Sequence, residues 1–286
     1  MDWKIDKPVI VEAYYNCINA NNRELFLRLN NNISKAKKIY PFVSFIEERL
    51  SAVWLLALND KLWDAEIIDR SVLEVLMKFM FIVNAPDESE QEVRFREYWD
   101  DLFEISCIKH SEQSKKQLQH YTDEVSQLAH SPIVLNEEHE NLLKQKWKRK
   151  DRKNLEQKWS FSEILFSLAK NYKGQPFEMM IGLAHEYRMC SHIAHGDETG
   201  IGIIEERKSR SEKQRKDVHI GHFIKLLSNC LSYATATSYA AMDFLNLDIN
   251  YFMDNLKKIQ NIKDVENKYQ LEVFNDPLYE KFINKM

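Results

Sequence analysis

The segment "EYRMCSHIAHGDETG", residues 186–200, carries Arg188, Ser191, His192 and His195 at i, i+3, i+4 and i+7. On a helix this spacing lines up all four on one stripe, and Tyr187, Ser191 and His195 form an overlapping i, i+4, i+8 row. The residue types suit proton transfer beside an anion. An imidazole titrating near neutrality can serve as general base or acid, and a guanidinium stabilises charge developing on a phosphate. With RNA no metal is required, because the ribose 2′-hydroxyl is an internal nucleophile already close to phosphorus. Two other readings stand beside this one. The stripe could be a satisfied polar seam between helices. It could also be part of a metal site drawn from His185, Glu186, His192, His195, His219 and His222, whose H-x-x-H pairs could converge across two helices. Neither an H-E-x-x-H nor a Glu-x-x-His pattern accompanies them, so no metal and no other cofactor is expected.

Two further groups of residues carry charge where chemistry could use it. Arg70 and Glu74 lie at i, i+4 among Ile67, Ile68, Leu73, Val75 and Leu76. A buried charge is costly unless it is paired. They read either as a structural ion pair or as a phosphate-binding Arg oriented by Glu74. Residues 144–158, "KQKWKRKDRKNLEQK", set eight Lys or Arg against two acids. Lys146, Lys148, Arg149 and Lys150 could grip an RNA backbone while Trp147 and Trp159 stack a base, or the run could be a solvated connector. There is no Gly-rich phosphate loop, G-x-S-x-G elbow or Walker pattern, which argues against nucleotide-driven chemistry and serine hydrolysis.

The elements that must position these residues are helices. Gly and Pro number only six each in 286 residues, which disfavours a turn-rich β chain. Residues 41–60 place Phe42, Phe45, Ile46, Leu50, Val53, Trp54 and Ala57 on one apolar face, with Glu47, Glu48 and Arg49 expected to point largely elsewhere. Residues 62–86 are apolar nearly all round and end before Pro86. Asp87 and its neighbours suit a helix N-terminus, Ser160 and Glu163 have capping-box spacing, and Pro176 and Gly196 would bracket the helix that carries the stripe. The polar segment 197–216 reads as a loop before a long helix over 218–246, whose Tyr233, Thr237 and Ala240 or Ala241 form a close-packing seam. The expected architecture is a single all-α domain over 1–286, with a core at about 40–245 and short peripheral helices over 247–286.

Net charge −4 excludes a chain that is basic throughout, and 44% hydrophobic residues are ordinary for a folded soluble protein. Cys17, Cys107, Cys190 and Cys230 are scattered without a C-x-x-C pair, as expected of reduced thiols. The N-terminus shows no h-region, and the most apolar run, 72–83, is too short to span a bilayer. A cytoplasmic protein without membrane contact is expected.

The Arg188-to-His195 spacing resembles the signature of HEPN ribonuclease domains, an Arg followed after four to six residues by His on an inward-facing helix of a small bundle. The position after the Arg, often polar in that motif, is Met189 here. Arg70 and Glu74, taken with Tyr187, Ser191 and His195, also resemble an R-x-x-x-E and Y-x-x-x-S-x-x-x-H pairing in a bacterial HEPN-related helical family of uncharacterised function. The resemblance implies an up-and-down helical bundle and metal-independent endoribonuclease chemistry. Arg188, Ser191, His192, His195 and Tyr187 would then be catalytic, and Arg70, Glu74 and the basic run would bind RNA. It further implies a homodimer, a role as toxin or phage-defence effector, and room for a regulatory or antitoxin partner. The rival is a non-catalytic helical interaction module whose His/Arg seam is structural.

Overall fold

A computed structural model describes residues 3–171, 182–258 and 267 of the chain, and among them every regular element is helical. The packing separates into two compact units, Met1–Val83 with Pro176–Met286, and Asn84–Gln175.

The first unit is organised by helices α1 (Trp3–Asn31), the short α2 (Ile33–Ala36), α3 (Tyr40–Leu58), α4 (Leu62–Val83), α11 (Leu183–His195), α12 (Glu198–Ser209) and α13 (Glu212–Leu245). Side-chain pairs give their directions. Trp3 meets Phe223 and Asn21 meets Thr235, so α1 runs parallel to α13. Glu66 meets His222 and Asp69 meets Asn229, so α4 runs parallel to α13 as well. α3 returns against α4 through a tight turn in which Asp60 takes φ 57°. α11 runs against α4, because Glu66 reaches Cys190 while Glu74 reaches Tyr187. The core is apolar and close-packed. Phe42 and Phe79 stack at 5.4 Å between α3 and α4, and each fully buried side chain of this size contributes about 1.5–3 kcal/mol. Tyr233, Thr237, Ala240 and Ala241 are all buried, as the seam on α13 requires.

Two expectations are corrected here. The segment 197–216 is not a loop. Asp197 caps α12 by accepting from the Gly200 amide, and Ser211 with Gln214 forms a reciprocal capping box that starts α13 six residues before the expected 218. Glu47 does not point outward: it is 9% exposed, because α1 covers a second face of α3. The end of the α11 helix is as read, with Gly196 at φ 59°. Pro176 and the expected start of that helix lie outside the described residues, as does most of the stretch after 258.

The second unit holds α5 (Glu88–Arg96), a π-helical turn at Glu97–Asp101, α6 (Leu102–Leu118), α7 (Glu124–His130), α8 (Glu137–Lys146), α9 (Arg149–Lys158) and α10 (Phe161–Asn171). Asp87, Asp123 and Asn136 each accept a hydrogen bond from the third amide of the helix they cap. No described helix is long and apolar enough to cross a membrane.

Candidate functional site

Three polar groups gather around α11, all within the first unit. The first joins the two motifs picked out from the sequence. Arg70 Nη2 donates to the Tyr187 hydroxyl at 3.0 Å, and that hydroxyl donates to Glu74 Oε2 at 3.3 Å. The guanidinium also lies 4.7 Å from the Tyr187 ring centroid, a cation–π distance. Glu74 is completed by Lys78 at 2.8 Å. Burial alone would raise the Glu74 carboxyl, but the Lys78 hydrogen bond and charge, with Tyr187 and Arg70, bring it below its usual range. Burial beside Glu74 raises the Tyr187 phenol. Arg70 and Glu74 therefore contact each other through Tyr187, and both are half-buried rather than sealed.

The second group is the remainder of the stripe. Arg188 and His195 are exposed, while Ser191 and His192 are half-buried. His192 Nδ1 lies 2.7 Å from Asp197 Oδ2, so the helix-capping carboxylate also orients the imidazole and leaves Nε2 for another partner. Asp197 sits below its usual range because the Gly200 amide and then His192 bond to it. Gly200 is needed for this approach. A Cβ at that position would land inside contact distance of the His192 carbonyl.

Of the third group, only Glu186 and His222 are singled out in the sequence, as members of the alternative metal set. Glu66, 4% exposed, receives His222 Nε2 at 2.7 Å and Lys225 Nζ at 2.9 Å on Oε1, and the Cys190 thiol at 2.8 Å on Oε2. Arg207 Nη1 lies 2.8 Å from His222 Nδ1. An Arg can only donate, so Nδ1 is the acceptor, Nε2 carries the proton, and His222 is held neutral between Arg207 and Glu66. Burial pushes His222 down in agreement. Burial would raise Glu66, but the His222 hydrogen bond and the Lys225 charge take it to about 2. Burial also takes Arg207, seated 4.1 Å over the Trp63 ring, down to about 10. Asn229 donates to both Asp69 and Glu186, at 2.9 and 2.6 Å. Burial, then the charges of Glu186 and Glu66, lifts Asp69 well above the carboxylate range.

Carboxylate oxygens of Glu66, Asp69 and Glu186 lie within 4.8 Å of one another, a spacing a cation could bridge. The Lys225 ammonium already stands 2.9 Å from Glu66 and 3.1 Å from Glu186, so the chain supplies its own counter-charge. The two H-x-x-H pairs are each engaged elsewhere: His192 with Asp197, His219 with Asp60 at 3.2 Å, and His222 with Glu66. Among the described residues they form no common ligand set.

In the second unit the basic run 144–158 is the end of α8, a turn at Trp147 and Lys148, and α9. Lys146 and Trp147 both bond Glu104 at 2.6 Å, and Lys158 and Trp159 bond Glu97 at 2.9 Å. Trp159 is 3% exposed, which corrects its expected role as a base-stacking platform. Lys148, Arg149 and Lys150 are exposed at the start of α9.

Compared with known families, residues 41–213 match a family of unknown function, DUF5677. The match covers more than half of the 286 residues, and the chain belongs to that family. No curated protein and no solved structure matches it.

Proposed function

We propose that this DUF5677 member is a metal-independent endoribonuclease of HEPN type whose site is the exposed end of α11. The observation that carries the reading is the placing of Arg188 and His195 at the surface of one helix stripe, with His192 oriented between them by Asp197. His195 takes the proton from a ribose 2′-hydroxyl, and the 2′-oxygen attacks phosphorus. Arg188 holds the charge that develops on the phosphate. His192 returns a proton to the departing 5′-oxygen as the P–O5′ bond breaks, leaving a 2′,3′-cyclic phosphate and a 5′-hydroxyl. The Arg70–Tyr187–Glu74 relay holds α11 against α4 and keeps a guanidinium near the stripe, where Arg70 would meet a flanking phosphate. Ser191 completes the stripe as a hydrogen-bonding residue.

The exposed Lys148, Arg149 and Lys150, with Lys146, give RNA an electrostatic foothold. A homodimer facing two stripes onto one cleft, a cytoplasmic location, and a defence or toxin role held in check by a partner protein all belong to the same proposal.

The test is wild type against His195→Ala on mixed RNA in EDTA. Cleavage that leaves cyclic-phosphate ends and disappears in the variant supports the reading. Cleavage only with divalent metal would shift the site to Glu66, Asp69 and Glu186. Folded but equally inert proteins would favour the rival, a non-catalytic interaction module. The hydrogen bonds that fill both oxygens of Glu66 from within the chain favour that rival.

A further inference from the structure

Glu47 lacks what a buried carboxylate needs. It is 9% exposed on α3, its Oε2 accepts from the Asn22 amide of α1, and no hydrogen bond reaches Oε1. The Asn22 carbonyl oxygen beside it is buried and unpartnered too. An ionised carboxylate taken out of water is expensive unless a cation or several donors compensate it. Among the described residues no Lys or Arg charge offsets Glu47, whose carboxyl is moved by burial alone. The two orphaned atoms are both acceptors, so the missing partner is a donor.

The space for one is present. Glu47 and Asn22 line a cavity of about 260 Å³ between α1 and α3, together with Tyr15, Ser51, Trp54 and Cys230. Tyr15 and Trp54 stand with ring centroids 6.0 Å apart and planes 36° apart. Aromatic faces attract a desolvated cation. Glu47 and Asn22 thus line one end of the cavity, their unpartnered oxygens sealed until a side chain turns toward it, and the aromatic faces the other, while the walls between are largely apolar.

We propose that this cavity binds a small organic cation, with a primary ammonium or guanidinium on Glu47 and Asn22 and its carbon chain against Trp54 and Tyr15. The site lies on the α1–α3 side of the first unit and shares no residue with the α11 stripe, so it stands or falls apart from the ribonuclease reading. A cation there supplies the counter-charge that the fold withholds. Without it Glu47 holds its proton below about pH 7, since burial pushes its carboxyl up to about 7. The other titratable groups lining the cavity are Tyr15 on α1 and Cys230 on α13, whose thiol burial raises well above its usual range. The Cys230 thiol stays uncharged through neutral pH. Binding of a permanently charged guanidinium should therefore tighten by about tenfold from pH 6 to pH 8, as Glu47 gives up its proton.

The experiment is calorimetric titration of the full chain with agmatine and with butylamine, and with 1-butanol as the uncharged control. Saturable binding of either amine is expected, at least tenfold tighter than any binding of the alcohol. Glu47→Gln, which keeps shape and folding, should weaken it at least tenfold and abolish its pH dependence, and Trp54→Leu should weaken it severalfold. The proposal is overturned if folded wild type binds neither amine, if the alcohol binds as well, or if Glu47→Gln binds as tightly as wild type.

Discussion

Arg70 and Tyr187 meet twice, by a 3.0 Å hydrogen bond to the phenol oxygen and by the guanidinium lying 4.7 Å from the ring centroid. Residues 117 positions apart are thereby joined at the interface of α4 and α11, and Glu74 closes the relay by accepting from the same hydroxyl. Tyr187→Phe keeps the ring and loses both hydroxyl bonds, so a cost of about 1 kcal/mol is expected. Arg70→Ala loses the stack as well and should cost about 2 kcal/mol. Urea denaturation of both variants checks this; an Arg70→Ala chain as stable as wild type would remove the relay from the account of how α11 is held.

Glu66 should make the protein acid-sensitive. Its folded carboxyl sits at about 2, below an unfolded value of about 4.3. A depressed carboxylate contributes stability above its unfolded pKa and loses it as pH falls toward the folded one. Wild type should therefore weaken between about pH 4.5 and 2. Glu66→Gln takes the nearer of its two carboxylates from Lys225 and the charged acceptor from the neutral His222, so it should be less stable at neutral pH by on the order of 3 kcal/mol. It should also show a flatter profile in that acid window. Equal slopes for the two proteins in denaturation at stepped pH would refute the assignment.

Gly200→Ala tests the approach of α12 to α11. The added Cβ collides with backbone at His192, which cannot swing aside as a side chain would. A loss of about 1–3 kcal/mol is expected, although alanine ordinarily favours a helix over glycine. If the stripe is catalytic, cleavage should fall further than stability does, since His192 moves with its backbone. A stabilised Gly200→Ala protein would show that the approach is looser than described.

The basic run should affect binding, not chemistry. Replacing Lys146, Lys148, Arg149 and Lys150 with Gln should weaken RNA association and flatten its dependence on salt, because fewer counterions are released. The three exposed cations at the start of α9 should account for most of that change, since Lys146 is already held by Glu104 and Asp101. Filter binding across a salt titration measures it. An unchanged slope would leave the run a structural surface held to the acids of the second unit.

Much of the local structure is written in the chain itself. The turn residues and caps do not depend on distant partners. Gly196 takes the left-handed conformation that glycine allows, and Asp87 meets the amide three residues on. The period of apolar residues likewise marks α3 and α4 as core helices before any packing is known. Arg70 and Glu74 stood out for a related reason: charges inside an apolar helix must find partners, and Tyr187 is the partner they found.

What the tertiary structure decided lies wherever a second or third helix is needed. Glu47 falls outside the apolar stripe of α3 taken alone, and only the arrival of α1 on another face buries it. The α12 segment, with Gly200 and Gly202, has too weak an apolar period to announce a helix; its closeness to the α11 backbone explains the glycine at 200. Glu66, Asp69, Glu186, His222 and Lys225 come from three helices far apart in sequence, and no spacing within any one of them marks a cluster. Charge on a single helix says that a partner is required, but which partner depends on how the helices cross, and that is set by packing across the whole unit.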